Sequence, residues 1–352
     1  MNPRLCFISH MVGRRPGYIP VQGQILSGLF KDAGYSVIAV SDRLSRSKRM
    51  ADVVSTLVRR RNNIDVLIID IYGGLSFVLE DVASLLGRRF DQKVVMWLHG
   101  GAMPAFMAEH PDWTRRVLSR ADLIVAPSEF LARAIVPYGF QARVIPNVID
   151  LSDYHYRHRQ ALSPRLFWMR SIEPLYNPEL AIRVLARLRS TMPEASLVLA
   201  GPDKGLVAEL RQLVEELGLN GAVRFAGFLD RKGKAREGDQ ADIFLNTSRV
   251  DNMPVAIVEA CAMGLPVVTT AVGGIPDLLA DSQTGLLVPD NNEVATVEAI
   301  NRLLGDPDLA GRLSANGRQL AESSSWEPVR LQWEQVFAQV MTCPSSSREA
   351  RL

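Results

Sequence analysis

Residues 242–270, DIFLNTSRVDNMPVAIVEACAMGLPVVTT, decide the reading of this chain. Asp242–Asn246 and Pro266–Thr270 are short apolar runs of strand type, and the segment between them, Pro254–Met263, is an apolar helix. Pro254 suits its first turn, where a missing N–H costs nothing. A strand, a helix and a second strand in this order imply parallel strands joined by a crossover, the unit of an α/β sheet. Glu259 interrupts the apolar helix, eight residues after Asp251. An unpaired buried charge is costly, so this carboxylate requires a partner or a task.

The same alternation extends in both directions. Downstream of residue 164 the strand-like runs are Arg165–Arg170, Ala195–Gly201, Val223–Phe228, Asp242–Asn246, Pro266–Thr270 and Gly285–Val288. Helical patterns at Pro178–Arg189, Leu206–Leu217 and Pro254–Met263 lie between them. Upstream, Leu5–His10, Ser36–Ser41, Asp65–Asp70, Lys93–His99, Asp122–Pro127 and Arg143–Pro146 alternate with periodic segments such as Val21–Ala33 and Ser76–Leu86. The last two lead into Gly34 and Gly87, as expected past helix C-termini. Between the halves, LSDYHYRHRQALSP (Leu151–Pro164) is polar, aromatic and non-periodic. The expected architecture is therefore α/β: two Rossmann-like doubly wound parallel sheets, 1–150 and 165–324, with a linker at 151–164. A chain of 352 residues is too long for a single core and suits two domains. The tail 342–352 is expected to be disordered.

Composition narrows the function classes. The chain is 47% hydrophobic and 22% charged, an ordinary globular balance. No apolar run approaches the roughly 20 residues of a membrane-spanning helix, and LCFISH (Leu5–His10) is too short for a signal-peptide core. Three widely spaced cysteines, Cys6, Cys261 and Cys343, read as reduced thiols of a cytoplasmic protein. Residues 1–150 hold 19 basic against 13 acidic side chains (+6), and the remainder 21 against 25 (−4). The basic clusters Arg43–Met50 and Arg59–Arg61 flank ADVVSTLV, a pattern for a basic, partly apolar helix. The expectation drawn from it is a solvated surface helix or peripheral contact with anionic lipid at the membrane inner face, at roughly 1 kcal/mol per well-placed basic residue. Without interleaved aromatics or a binding module, nucleic acid is not an expected partner.

Open α/β sheets bind ligands beyond the carboxyl ends of their strands. In the second half, Arg170 ends the first strand, Asp251 lies beyond DIFLNTS, and Gly273–Gly274 follow PVVTT. These should share one rim with the backbone amides of Met253, Val255 and Ala256, an anion site at a helix N-terminus. Arg170 adds a fork able to grip phosphate with two hydrogen bonds. A diphosphate is the natural occupant, and Glu259 is placed to accept hydrogen bonds from a ribose diol.

DNMPVAIVEACAMGLPVVTT, followed by VGGIPDLL and TGLLVP, resembles the donor region of family-four retaining glycosyltransferases of the GT-B fold, also described as group 1 glycosyltransferases. Their pattern of Glu, seven residues, Glu, Gly-x-Pro-Val and a Gly-Gly loop is matched by Asp251, Glu259, Gly264–Val267 and Gly273–Gly274. APSEFLARAIVPYGFQARVIPNVID (Ala126–Asp150), WLHGG with His99, and SSSWEPVRLQWEQVF extend the resemblance over nearly the whole chain. The last implies a helix at 325–341 crossing back to the first domain. Two departures stand out. The first acid is Asp, and the phosphate-gripping lysine after the arginine is absent, with only Asn177 near that place and Lys204 further on.

The resemblance implies transfer of a sugar from a UDP-, GDP- or ADP-linked donor to a glycan or lipid-linked acceptor. Configuration would be retained, and neither metal nor cofactor is expected. Catalytic roles fall to Asp251, Arg170 and His99. Donor contacts fall to Glu259, Asn252, Met253, Pro254, Val255, Asn177, Gly273 and Gly274, with Gly17 and Tyr18 in an acceptor-side loop. Asp306–Asp308 is better read as a helix cap than a metal motif, and His155 and His158 as solvated histidines rather than ligands. Gly73–Gly74 lacks the rest of a dinucleotide fingerprint. Two other readings remain open: a non-catalytic GT-B protein binding a nucleotide sugar or a partner, and a two-domain sugar-nucleotide epimerase.

Overall fold

A computed structural model describes residues 2–14 and 20–342. Gly17, Tyr18 and the tail beyond Thr342 lie outside the described residues. The chain divides into two compact units, one from residues 1–148 with the segment from Trp326 onward, the other Ile149–Ser325.

The first unit holds β1 (Leu5–Ile8), β2 (Val37–Val40), β3 (Val66–Ile71), β4 (Lys93–Leu98), β5 (Leu123–Ala126) and β6 (Arg143–Val144). They form one parallel sheet in the order β2-β1-β3-β4-β5-β6. Its helices are α1 (Gln22–Asp32), α2 (Arg46–Arg60), α3 (Phe77–Arg89), α4 (Met103–Glu109), α5 (Pro111–Leu118) and α6 (Glu129–Ala134). The central strands VLIIDI and KVVMWL are almost wholly buried, as expected of parallel strands covered on both faces.

The second unit repeats the plan with β7 (Arg165–Met169), β8 (Ser196–Ala200), β9 (Val223–Gly227), β10 (Ile243–Asn246), β11 (Val267–Thr270) and β12 (Leu286–Val288). Their order is β12-β11-β10-β7-β8-β9, again parallel. Helices α7 (Pro178–Arg189), α8 (Val207–Glu216), α9 (Arg231–Gln240), α10 (Val255–Ala262), α11 (Ile275–Leu278), α12 (Glu293–Gly305) and α13 (Pro307–Ser323) complete it. The chain reverses its direction across the sheet between β7 and β10. That is the switch point at which such sheets bind ligands.

The final helix, α14 (Trp326–Thr342), belongs to the first unit. Its buried face, Val329, Trp333, Val336, Phe337 and Val340, joins a core with Leu5, Phe7, Phe30 and Trp97. Trp333 meets Trp97 edge to face, with ring centroids 5.0 Å apart.

The stretch 151–164, expected to be a linker, instead packs into the second unit. Arg159 is 1% exposed. Its guanidinium donates to the carbonyls of Gly238 (2.6 Å), Ala241 (3.1 Å) and Arg157 (3.1 Å) and to that of Met263. Three of these carbonyls lie at the C-terminal ends of α9 and α10, where a cation answers the helix dipole and the unpaired C=O groups. Burial pulls its pKa down to about 10. The aperiodic sequence concealed this because an arginine that serves two helix ends needs no helix of its own. Asp306 caps α13 by accepting from the amide of Leu309 at 2.9 Å, and Asp308 lies in the helix's first turn. His155 and His158 are exposed.

Candidate active site

Arg170 follows β7 directly, and Asp251 lies in the loop after β10, so the two face each other across the switch point of the second sheet. They are joined at 2.7 Å, Arg170 Nη2 to Asp251 Oδ2. The sequence motif gives the two separate tasks; the structure makes them one ion pair. Asp251 is 8% exposed. Its Oδ1 accepts from the amide of Asn252 (2.9 Å), and Ser248 Oγ donates to its Oδ2 (3.3 Å). Burial pushes the Asp251 carboxyl above the ordinary carboxylate range, although Arg170, Asn252 and Ser248 pull it down.

Arg170 is held by two groups. The ring of Tyr176 lies 4.1 Å from its guanidinium carbon, a cation–π contact. Asp251 takes Nη2, and Nε is buried with no hydrogen-bond partner. A fixed guanidinium with a spare buried donor is ready for another acceptor.

Backbone packing sets this geometry. Gly201, at the end of β8, has φ +147°, and a Cβ there would run into the carbonyl oxygen of Arg170. Gly273 has φ +55°, and a Cβ would run into the carbonyl oxygen of Asp251. The amide of Gly274 donates to that same oxygen at 3.1 Å. The glycine pair thus seats the loop after β11 against Asp251.

Pro254 takes the N-cap position of α10. Ile257 and Val258 are the first helix amides to bond backward, both to the carbonyl of Pro254. Val255 and Ala256 therefore precede the hydrogen-bonded ladder, as an anion site requires. Met253 is buried in the same core cluster as Met169 and Ile257, so its side chain is committed to packing. Asn177, considered for the place of the missing lysine, is buried in a left-handed conformation (φ 48°). Its amide donates to Asn291 at 3.1 Å, and its carbonyl accepts from Thr247 at 2.7 Å. It shapes the loop and supplies no cation. Lys204 is exposed on the loop after β8.

Seven of the eight residues of α10 are buried, Glu259 among them. Its carboxylate is gripped by Lys234 Nζ at 2.8 and 2.9 Å and accepts from the Tyr154 hydroxyl at 2.7 Å. Burial, reinforced by the Glu259 charge, raises the Tyr154 pKa, so the phenol stays protonated and donates. Lys234 and Tyr154 escaped the sequence reading, one in the polar run RKGKAREG and the other in the supposed linker. The signal available was indirect: an acid within an apolar helix demands a cation.

His99 belongs to the first unit, just beyond β4. It is 5% exposed, stacked on Tyr72 at 4.9 Å and tilted against Trp97 at 4.5 Å. Its Nε2 lies 3.4 Å from Asp70 Oδ1, yet neither atom completes a hydrogen bond. Asp70 Oδ2 accepts from Ser9 Oγ across the switch point of that sheet. No group of three or more metal-ligating side chains occurs among the described residues.

Two family models match the chain: Glycosyltransferase Family 4 over residues 26–153 and Glycosyl transferases group 1 over residues 161–320. A D-inositol 3-phosphate glycosyltransferase of Jonesia denitrificans is 34% identical over 44% of this chain and 38% of its own length. A GDP-mannose-dependent alpha-(1-6)-phosphatidylinositol monomannoside mannosyltransferase of Mycolicibacterium smegmatis is 26% identical over 67% and 65%. The chain spans about half the length of the curated relatives it matches. HepE of Anabaena, solved with UDP and glucose, superposes with a TM-score of 0.76 at 17% identity over 96% of this chain and all of that one. Sucrose-phosphate synthase of Thermosynechococcus elongatus gives 0.78 at 18% over 97% and 99%. Matched in both halves by glycosyltransferase models and sharing its fold with such structures over nearly its whole length, the chain belongs to the family 4, or group 1, glycosyltransferases of the GT-B fold.

Proposed function

We propose that this protein transfers a sugar from a nucleoside diphosphate sugar to an acceptor, with retention at the anomeric carbon and without a metal. The observation that carries the reading is the Arg170–Asp251 pair across the switch point, with its spare buried donor and the first amides of α10. In this reading Arg170 and the first amides of α10, those of Val255 and Ala256, bind the diphosphate and stabilise charge on the departing oxygen, usually the largest contribution to such catalysis. Asp251 and Asn252 orient the donor sugar, the Gly273–Gly274 loop backs Asp251, and Glu259 holds the ribose. No covalent nucleophile is invoked, because Asp251 is committed to Arg170 and Glu259 to Lys234. The relatives act on inositol phosphate and a phosphatidylinositol mannoside, which favours a phosphorylated polyol or lipid-linked acceptor.

A panel of labelled UDP-, GDP- and ADP-sugars tests the assignment by transfer and donor hydrolysis. Glu259→Ala is expected to weaken nucleotide binding about tenfold or more, whereas Asp251→Asn slows turnover with little change in affinity. Absence of binding and hydrolysis for every donor would refute the reading. Tight binding without turnover under any acceptor condition would mark a binding protein instead.

Peripheral membrane contact is part of the proposal. Arg46, Lys48, Arg59 and Arg60 are exposed on α2, while Arg49, Val53 and Leu57 face inward. Co-sedimentation with anionic vesicles, lost at high salt, is the expected result; no sedimentation at low salt removes the membrane role.

A further inference from the structure

We propose that Lys234 is a second ribose-recognising residue, donating a hydrogen bond to one ribose hydroxyl while Glu259 accepts from the other. This rests on the reading of Glu259 as the ribose ligand. A carboxylate offers about four lone-pair positions and an ammonium three donors. Tyr154 and the two bonds from Lys234 occupy three of the acceptor positions on Glu259, and Lys234 spends two donors on the same carboxylate. One acceptor and one donor therefore remain, side by side. A bare carboxylate would take both protons of a vicinal diol. This pair instead matches a diol in which one hydroxyl donates and the other accepts.

The ammonium is held in place by its surroundings. Lys234 lies in the first turn of α9, whose N-cap Asp230 accepts from the amide of Gly233 at 2.7 Å. Its neighbour Arg231 is tied to Asp153 at 2.7 Å, next to Tyr154. The Lys234 and Glu259 side chains keep 18% and 9% of their surface exposed, so the pair is supported from the protein side and open on one face. Electrostatically it is neutral, which removes the penalty Glu259 would impose on an approaching anion.

Isothermal calorimetry with UDP, GDP and ADP and their 2′-deoxy and 3′-deoxy counterparts tests this. The wild type is expected to bind the ribonucleotide more tightly than both deoxy forms. Lys234→Met should lower ribonucleotide affinity about tenfold and abolish discrimination at one of the two positions. An equal loss for ribo and deoxy forms, or no loss, would show a structural counter-ion only and overturn the proposal. Should Lys234→Met fail to fold, Glu259→Gln is compared with Glu259→Gln/Lys234→Met, since neither leaves a buried carboxylate unpaired. Retained discrimination at one position in the single variant, absent from the double, supports the role; identical profiles overturn it. If none of the three nucleotides binds the wild type, the donor-site reading itself fails and takes this proposal with it.

Discussion

Arg170→Ala is expected to lower turnover by roughly two to three orders of magnitude, the scale of losing a preorganised donor to developing charge, and to weaken nucleotide binding as well. The side chain combines an ion pair, a stacking contact and an unfilled buried donor, so the loss is not confined to one hydrogen bond. Lysine at this position should recover only part of it, because a point charge lacks the fork that spans Asp251 and a phosphate together. Truncation also leaves Asp251 buried without its cation, a change of order 3 kcal/mol in stability.

The pH dependence follows with a definite sign. Burial already raises the Asp251 carboxyl, and Arg170 is the strongest influence drawing it back; without Arg170 the value rises further. A raised folded value means the folded state holds its proton longer than the unfolded one. Stability therefore falls as pH climbs from the unfolded carboxylate range through the folded value. The alanine variant should show a steeper fall, and the acid limb of its residual activity should move to higher pH. Thermal unfolding at several pH values and kcat profiles provide the check, and an alanine variant with wild-type turnover would remove Arg170 from the chemistry.

Trp333→Ala should destabilise the first unit by about 3–5 kcal/mol, the usual range for deleting a buried tryptophan. Trp333 is fully buried, joins Trp97 at 5.0 Å and packs 5.9 Å from Phe337, so neighbouring rings cannot readily collapse into the space. Its indole nitrogen is buried without a partner. That unmet donor offsets part of the packing gain and places the expectation at the lower end of the range. At about 2–4 °C per kcal/mol for a unit of this size, the corresponding calorimetric transition should drop by roughly 10 °C. A shift of a degree or two would mean that α14 contributes little to that core.

The strands were legible because burial on both faces leaves unmistakable apolar runs. VLIIDI and KVVMWL in the first unit and RLFWM and VVTT in the second all lie where the runs were read. The helix bearing Glu259 was equally plain, and so was the need to explain an acid within it. Arg159 shows the limit. Its segment has no periodicity, yet the side chain joins the ends of two helices. Nothing in the neighbouring residues announces that task.

What local order determined here is the alternation of strand and helix, the parallel sheets, and which carboxylates and arginine fall at strand ends, because periodicity and turn residues act between near neighbours. What tertiary packing alone decided is partnership: Arg170 with Asp251, Lys234 and Tyr154 with Glu259, Arg159 with the ends of α9 and α10, and α14 with the first core. Each links residues far apart in the chain. Their pairing depends on where whole elements dock, and on the cost of leaving any one of those charges or polar groups buried alone.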